Sequence, residues 1–459
     1  MKTVVFRMRP ALVALALGWA TAGSAQEGAP VTLDFRAAQQ RLVERSDAVE
    51  AQNAHMRSLS AQEAATRTLR RPDVDVDIQL LDYQKTLILP LGSFTAAAAS
   101  LGLPDRLRFQ TERSSTRPIA TATLPIYTGG QIPATQAGAR AQVAQAKADL
   151  ALTVEGQLLQ LTQAYFGQQL AERALAVRRD VLTGLESHAS DAAKLEQERF
   201  ISRAQRLQAE VARDDAAREY EKAISDLASA NAVLAGLLRA PSGVRPASPL
   251  AVNSGPLPPR DTYLAGALEA HPQLERFRAI EDQAKAGLDL QRAKTRPTVY
   301  GFAQYNFDRE ESLLTDPDWS VGVGVKYKLL SGLGRREMVE AARETRNQAQ
   351  AGRREAETQI LIGVTKFHNE AEAARRRFLL LDSSIASAEE NLRLQTLSYR
   401  EQQATSLDVI DAELGLGKAR LQRAQAANDY IQALAQLLNA SGRMNELPDY
   451  LARADRVIP

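Results

Sequence analysis

The sequence predicts a mainly α chain with a membrane β-barrel portion, internally duplicated, with four β-strands and long coiled-coil helical hairpins. Three observations predict it. Two proline-free helical runs each exceed a hundred residues, short segments between them alternate strictly, and the two halves repeat one order of elements.

The helical runs extend from Ala134 to Ala240 and from Arg335 to Gly442. Within the first, Val143, Leu150, Val154, Leu158, Leu161 and Tyr165 recur at steps that suit one helix face. Aromatics are only 5% of the chain, while Ala, Gln, Leu, Glu and Arg dominate, a composition of rods rather than of a compact core. Folded back on itself, each run is expected to give two helices of about 50 residues, about 75 Å long.

The alternating segments obey a period of two. Val74, Val76, Ile78 and Leu80 point one way, and Asp73, Asp75, Asp77 and Gln79 the other. Trp319, Val321, Val323, Val325, Tyr327 and Leu329 form a second apolar set, alternating with Ser320, Gly322, Gly324, Lys326 and Lys328. Weaker strands are expected over Ile119–Tyr127 and Thr298–Phe307. Segments of about ten residues with one apolar face match barrel strands with lipid-facing Val74, Val76, Ile78, Val321, Val323 and Val325. They also match a small soluble sheet, but the rods leave no segment to cover one. The two glycines of Val321–Gly324 relieve crowding in a wall, and Asp73, Asp75 and Asp77 line a lumen rather than a cation cage.

The duplication fixes the organisation. Ser46–Val49 corresponds to His271–Leu274, and Arg71-Pro72 to Arg296-Pro297, at an offset of 225. Gly129 corresponds to Gly332, and Ala209-Glu210 to Ala412-Glu413, at an offset of 203. The difference is an insertion of about 22 residues between the first two strands. The expected domains are a first repeat over 26–240, a Pro-rich linker over 241–260, a second repeat over 261–442 and a tail over 443–459. The segment 84–117 is expected to be an extracellular loop that either folds over a pore or extends its wall.

Four strands cannot close a membrane barrel, and an open edge is forbidden in hydrocarbon. Several identical chains must close it. Two would give eight strands with a filled interior; three give twelve and a lumen, with the rods continuing below as a helical tube.

The start and the composition agree with export. Lys2, Arg7 and Arg9 precede an apolar stretch over Ala11–Ala22 and small residues at Gly23–Ala25, the pattern of a signal peptide cut near Gln26. Without its three cations, the mature chain sets 54 Lys and Arg against 55 Asp and Glu, which gives no basic surface for nucleic acid. The absence of cysteine excludes a lipid-anchored start, disulfides and thiolate metal sites. His55, His188, His271 and His368 lack ligand spacing, no Gly-rich loop carries the Lys-Ser or Lys-Thr of a phosphate cradle, and no nucleophile stands with a base and orienting acid. No enzyme activity, metal or cofactor is expected.

Two motifs carry a resemblance. The first is the turn Leu124–Gly130, with Tyr127, Gly129 and Gly130, and its partner Lys328–Gly334, with Gly332 and Gly334. The second is Tyr399 followed by Ser406–Ala412. Together with the layout they resemble the TolC-like outer-membrane efflux and secretion channel family, over nearly the whole mature chain. The resemblance implies a homotrimer that crosses the outer membrane, contacts its lipid and reaches into the periplasm. It implies a periplasmic adaptor (a membrane fusion protein) and an inner-membrane pump as partners, in a tripartite efflux pump or a type I secretion system. It implies further that the glycine turns lead from barrel to helix, that Asp408 and Asp411 form a gating ring at the periplasmic tip, and that Tyr399 helps hold the closed state. Three apart, the aspartates share one helix face, and rings of such carboxylates attract cations and raise one another's pKa. The chain departs from the family at Gln402 and Ala404, which replace a glycine and the gate arginine. It departs also between Phe200 and Gln205, where about four residues of the first tip are missing and Gln205 replaces an acid beside Arg203 and Arg206. Two other classes compete: a periplasmic adaptor, which has a single hairpin, and a structural coiled-coil protein, which has no alternating strands. The exported substrate is not written in the chain.

Overall fold

The computed structural model describes residues 29–90, 100, 102, 106–307, 317–329 and 332–458. The expected signal peptide, together with Leu330 and Ser331, lies outside them. The first half runs β1 (Val31–Leu33), α1 (Phe35–Arg45), α2 (Asp47–Thr66), β2 (Asp73–Pro90), β3 (Arg106–Tyr127), α3 (Gln131–Gln197) and α4 (Arg203–Leu237). Two short strands, β4 (Val244–Pro246) and β5 (Ala251–Val252), precede the second half. That half repeats the order as α5 (Arg260–Ala270), α6 (Pro272–Ala293), β6 (Thr298–Asn306), β7 (Trp319–Lys326), α7 (Arg335–Arg400) and α8 (Ser406–Ala440). The chain closes with α9 (Leu447–Ala452) and β8 (Arg456–Val457).

The two offsets recur in three dimensions. α1, α2 and β2 start 225 residues before α5, α6 and β6, and α4 starts 203 before α8. Even the caps correspond: Ser46 Oγ accepts the amide of Val49, and His271 Nδ1 accepts that of Gln273.

The rods are asymmetric, which corrects the expected pairs of equal helices. α3 and α7 have 67 and 66 residues, and α4 and α8 have 35 each. At 1.5 Å per residue these are about 100 Å and about 52 Å long. The turns fall late because capping chemistry places them. Ser202 and Gln205 form a capping box at the start of α4, and Thr405 and Asp408 form one at the start of α8. Arg199 and Gln402, again 203 apart, take the left-handed conformation that reverses the chain. The far half of α3 is covered instead by α2 and α6.

The four long strands form one antiparallel sheet in the order β2-β3-β6-β7. Its register sets Val74 beside Ala122, Ala303 and Val321 in one row, and Val76 beside Ala120, Tyr305 and Trp319 in the next. Both predicted apolar sets therefore share one face, and Val74 is 66% and Val321 69% exposed. The other face carries Asp73, Asp75 and Asp77. There Phe302 and Tyr300 lie over Gly322 and Gly324, where a Cβ would meet the rings at 2.9 and 2.5 Å. Crowding by these two aromatics is the reason for both glycines. Pro118 and Pro125 bracket the part of β3 that pairs on both sides. Pro118 O accepts from Phe307 N at the end of β6, and at Pro125 the register shifts.

The expected loop over 84–117 is largely strand. β2 and β3 stay in register from Asp73↔Thr123 to Pro90↔Arg106, so the hairpin projects beyond β6 and β7 as a two-stranded ribbon. A ladder needs no buried face to form where backbone bonds are its main contacts.

The main core lies at the middle of the rods. Phe35, Tyr165 and Phe166 pack with centroids 5.1–5.4 Å apart, Tyr165 edge to face with each phenylalanine, and Leu234, Tyr263, Phe378, Tyr430 and Met444 join them. The expected linker belongs to this girdle. Tyr165 Oη donates to Leu33 O and accepts from Ser248 N, both at 2.8 Å, and β4 pairs with β1. The tail docks too, through β5–β8 pairing and a 2.9 Å bond between the Tyr263 and Tyr450 hydroxyls.

The two barrel-to-helix turns differ. Gly129 and Gly130 have φ of 65° and 99°, and a Cβ on Gly129 would stand 2.9 Å from Ala293 O. Gly334 N-caps α7 with φ −60°, and nothing lies within 4 Å of the Gly332 Cβ position. Gly129→Ala is therefore expected to cost on the order of 2 kcal/mol in urea unfolding, since strain and backbone collision coincide there.

Candidate functional site

The helix hairpins end together, and their tips are held by a small set of side chains. Tyr399, near the end of α7, is 4% exposed. Its ring lies 4.8 Å from that of His188 on α3. His188 Nε2 is 2.8 Å from Ser406 Oγ at the start of α8. Arg400 approaches Asp191 at 3.9 Å. One aromatic pair and one hydrogen bond thus join the first hairpin to the second. Burial raises the Tyr399 pKa, with help from the charge of Asp191, and its hydroxyl has no partner among the described residues. Burial also lowers the His188 pKa, against the opposing pull of Asp191 and Ser406.

The sequence did not single out His188 as a tie. It lies off the predicted apolar face of α3, about six turns from the core aromatics, so no local signal marked it. Ser406 was named only as part of a motif, and its role depends on where α7 ends.

Asp408 and Asp411 lie on one side of α8, as expected, but in different chemical states. Asp408 Oδ2 accepts from the amide and the hydroxyl of Thr405, each at 2.7 Å, and Thr405 Oγ1 accepts from Asp408 N. These bonds lower the Asp408 pKa, the hydroxyl first and the amide second. The shift within one chain is opposite to the upward one expected of a carboxylate ring. Asp411 is exposed on the rim of a groove between α4 and α8, beside Leu207, Val211, Leu407 and Leu414.

The first tip is built to the same length as the second. Gln205 Oε1 accepts from Ser202 N at 3.1 Å, and Arg206 pairs with Glu196 at 2.5 Å and with Glu210. Gln205 and Arg206 are therefore engaged within their own hairpin, while Arg203 opens α4. Gln402 holds the left-handed position of the turn and Ala404 precedes the N-cap Thr405, so neither takes up the bonds of a gate arginine.

At the opposite end, Tyr127 pairs with Val299 of β6, the turn Gly129-Gly130 packs against the end of α6, and Arg296 Nη1 donates to Gly129 O at 3.3 Å. Lys294, Arg296, Lys326, Lys328 and Arg335 gather beside this junction. Among the described residues no group of His, Asp and Glu could hold a metal ion, and no helix is long and apolar enough to cross a membrane.

The outer membrane efflux protein family model matches residues 264–443. The chain is 24% identical over 324 residues to the outer membrane efflux protein BepC of Brucella suis biovar 1, covering 70% of each protein. The structure superposes on the outer membrane protein VceC of Vibrio cholerae with a TM-score of 0.73 at 14% identity, over 89% of this chain and 96% of that one. It superposes on the open state of the Neisseria gonorrhoeae MtrE outer membrane channel with a TM-score of 0.70 at 16% identity, over 89% of each.

Histidine protonation generates a prediction at the tips. The closed cluster favours neutral His188, so it binds fewer protons than an opened tip. Its stability is present above the ordinary histidine range, about 6.5, and is lost as pH falls through it. Amide protection at 188–192 and 399–408, taken relative to the intrinsic exchange rate at each pH, is expected to fall between pH 7.5 and pH 5.5, and His188→Gln is expected to remove that step.

Proposed function

We propose that the chain is the passive exit duct of a tripartite efflux pump or type I secretion system, a trimer spanning the outer membrane and the periplasm, a reading supported by the match of residues 264–443 to the outer membrane efflux protein family model. The observation that carries the proposal is a mismatch of covered faces. α3 packs on both α2 and α6, and β3 pairs with both β2 and β6. Among the described residues their repeats have one such neighbour each: α7 packs on α6, and β7 pairs with β6. The missing neighbours are a second α2 and a second β2, and the chain's own copies of those elements lie at its other edge. Such a contact is heterologous, so it closes only as a ring of copies.

Polarity agrees with that closure. β7 runs antiparallel to the β2 it would meet, as ladder parity requires. Val321, Val323 and Val325 would continue the apolar face through Val74, Val76 and Ile78 against lipid. Lys326 and Lys328 would come to the same end as Asp73 and Asp75. Three copies give twelve strands and an open lumen. Gly332, with nothing near it in one chain, would then meet the next copy's α2 as Gly129 meets α6.

The tube below would be closed where the hairpin tips converge, with Asp408 and Asp411 of three chains around the mouth and Tyr399 holding each pair of hairpins. A periplasmic adaptor and an energised inner-membrane pump would supply what this chain lacks, since nothing in it couples to nucleotide hydrolysis.

Two measurements test the proposal. In a planar bilayer, the mature trimer is expected to show a small, cation-selective conductance that divalent ions block. Asp411→Ala should raise the conductance and weaken the block, whereas Asp408→Ala should raise it and also speed amide exchange at the turn it caps. An inserted protein that conducts nothing in any variant sinks the duct. In the second test, Asp75→Lys should lower the trimer fraction that survives cold detergent, and adding Lys326→Asp should restore part of it. If the double variant is no better than the single one, these edges do not meet.

A further inference from the structure

The ribbon formed by the outer parts of β2 and β3 changes its polarity without changing its register. Up to Leu80, the even-numbered residues of β2 are apolar and share the face of Val321 and Val323. Beyond it, the same face carries Asp82, Gln84 and Thr86, opposite Ser114, Glu112 and Gln110. Ser114 Oγ donates to Asp82 across the ladder. Ile88, opposite Arg108, is the one apolar residue there. The other face, acidic at Asp73, Asp75 and Asp77, carries Tyr83 opposite Arg113 and Lys85 opposite Thr111, and turns apolar at its outer end, where Leu87 stands opposite Phe109 and Leu89 opposite Leu107. No bulge interrupts the ladder between Asp73 and Pro90, so the faces exchange character by sequence alone.

The exchange occurs where the ribbon leaves the four-stranded sheet. The face that would meet lipid becomes wet, as it should above the membrane. At its outer end the inner face becomes apolar and stands open among the described residues: Phe109 is 53% exposed, Leu89 45% and Leu87 37%. An isolated two-stranded ribbon is marginal in water, and an apolar stripe on it needs a partner. Lipid is on the wrong side to supply one. Reach is not limiting, because twelve residues of ribbon extend about 40 Å while a twelve-stranded barrel has a radius of about 12 Å.

We infer that the ribbons of three copies lean over the outer mouth and pack Leu87, Leu89, Leu107 and Phe109 against one another about the axis. They form an apolar outer closure in series with the periplasmic gate. The inference rests on the trimeric ring proposed above. A dry constriction of this kind blocks ions by excluding water rather than by charge.

The chain contains no cysteine, so single cysteines report without background. Phe109→Cys and its neighbour Gln110→Cys are introduced separately into the full chain, and each purified trimer is oxidised with copper phenanthroline. Phe109→Cys is expected to cross-link two chains of the three and, before oxidation, to react with a bulky maleimide at least about tenfold more slowly than Gln110→Cys. Gln110→Cys should stay uncross-linked. Intact Phe109→Cys trimers that do not cross-link and label as fast as Gln110→Cys overturn the outer closure while leaving the ring standing. Failure of the unsubstituted protein to form trimers overturns the ring itself. If Phe109→Cys does not fold, Leu107→Cys reports on the same face.

Discussion

An unpaired strand edge cannot lie in hydrocarbon, and the arrangement of this chain answers that single constraint. A four-stranded sheet with a continuous apolar face has two edges, β2 and β7, each lined with unsatisfied backbone groups. Duplication supplies the answer, because a chain whose second half repeats its first ends in a surface that fits its own beginning. The same logic runs down the rods, where α3 has two flanking short helices and α7 has one. Sheet and tube are therefore incomplete in the same sense and would be completed by the same rotation.

The division of helix lengths follows from this stacking. A helix of 67 residues needs cover along its whole length, and α7, of nearly equal length, is not among the helices that cover it. α4 covers the tip half; α2 and α6, each about a third as long, cover the half near the sheet. The exchange of partners falls where Phe35, Tyr165, Phe166 and Tyr430 are buried, so the largest apolar side chains sit where the most elements meet. Within the first hairpin, the buried residues toward the tip shrink to Ala189, Ala192 and Ala209. Little apolar area is lost when such a contact opens, which makes the tips the low-stability end of the molecule and a suitable place for movement.

What could be read in the sequence was whatever repeats or alternates. Val74, Val76 and Ile78 announced a strand and its faces, and the offsets of 225 and 203 announced the order of elements to the residue. Hairpin turns were harder, because no glycine or proline marks them. Ser202-x-x-Gln205 and Thr405-x-x-Asp408 are capping signatures inside long polar stretches, and only the left-handed Arg199 and Gln402 show that the chain reverses there. The ribbon was taken for a loop because its apolar residues switch from even to odd positions after Leu80, which erases the alternation over any longer window. His188 and Ser406 are 218 residues apart, and nothing local to either predicts their bond.

The repeat is stricter in backbone than in chemistry, and the difference falls at the tips. Asp408 and Asp411 correspond, at the offset of 203, to Gln205 and Gln208. Gln205 serves its capping box as well as Asp408 does, since a neutral amide oxygen can accept the same amide proton. Backbone architecture therefore did not demand a carboxylate at either position. Two hairpins with identical turns carry acid in one and amide in the other, so a tube with nearly sixfold walls would narrow to a threefold ring of charge. Six acidic tips at one mouth would repel one another strongly; three interleaved with neutral tips hold enough charge to select cations at a lower electrostatic cost of closing. His188 and Tyr399 follow the same rule. Their counterparts, Asn391 and Glu196, cannot form the aromatic contact that ties one hairpin to the next. The tie thus exists once per chain, at the junction within the chain and not at the junction between chains, and an opening motion would part the copies before it parted the hairpins of one copy.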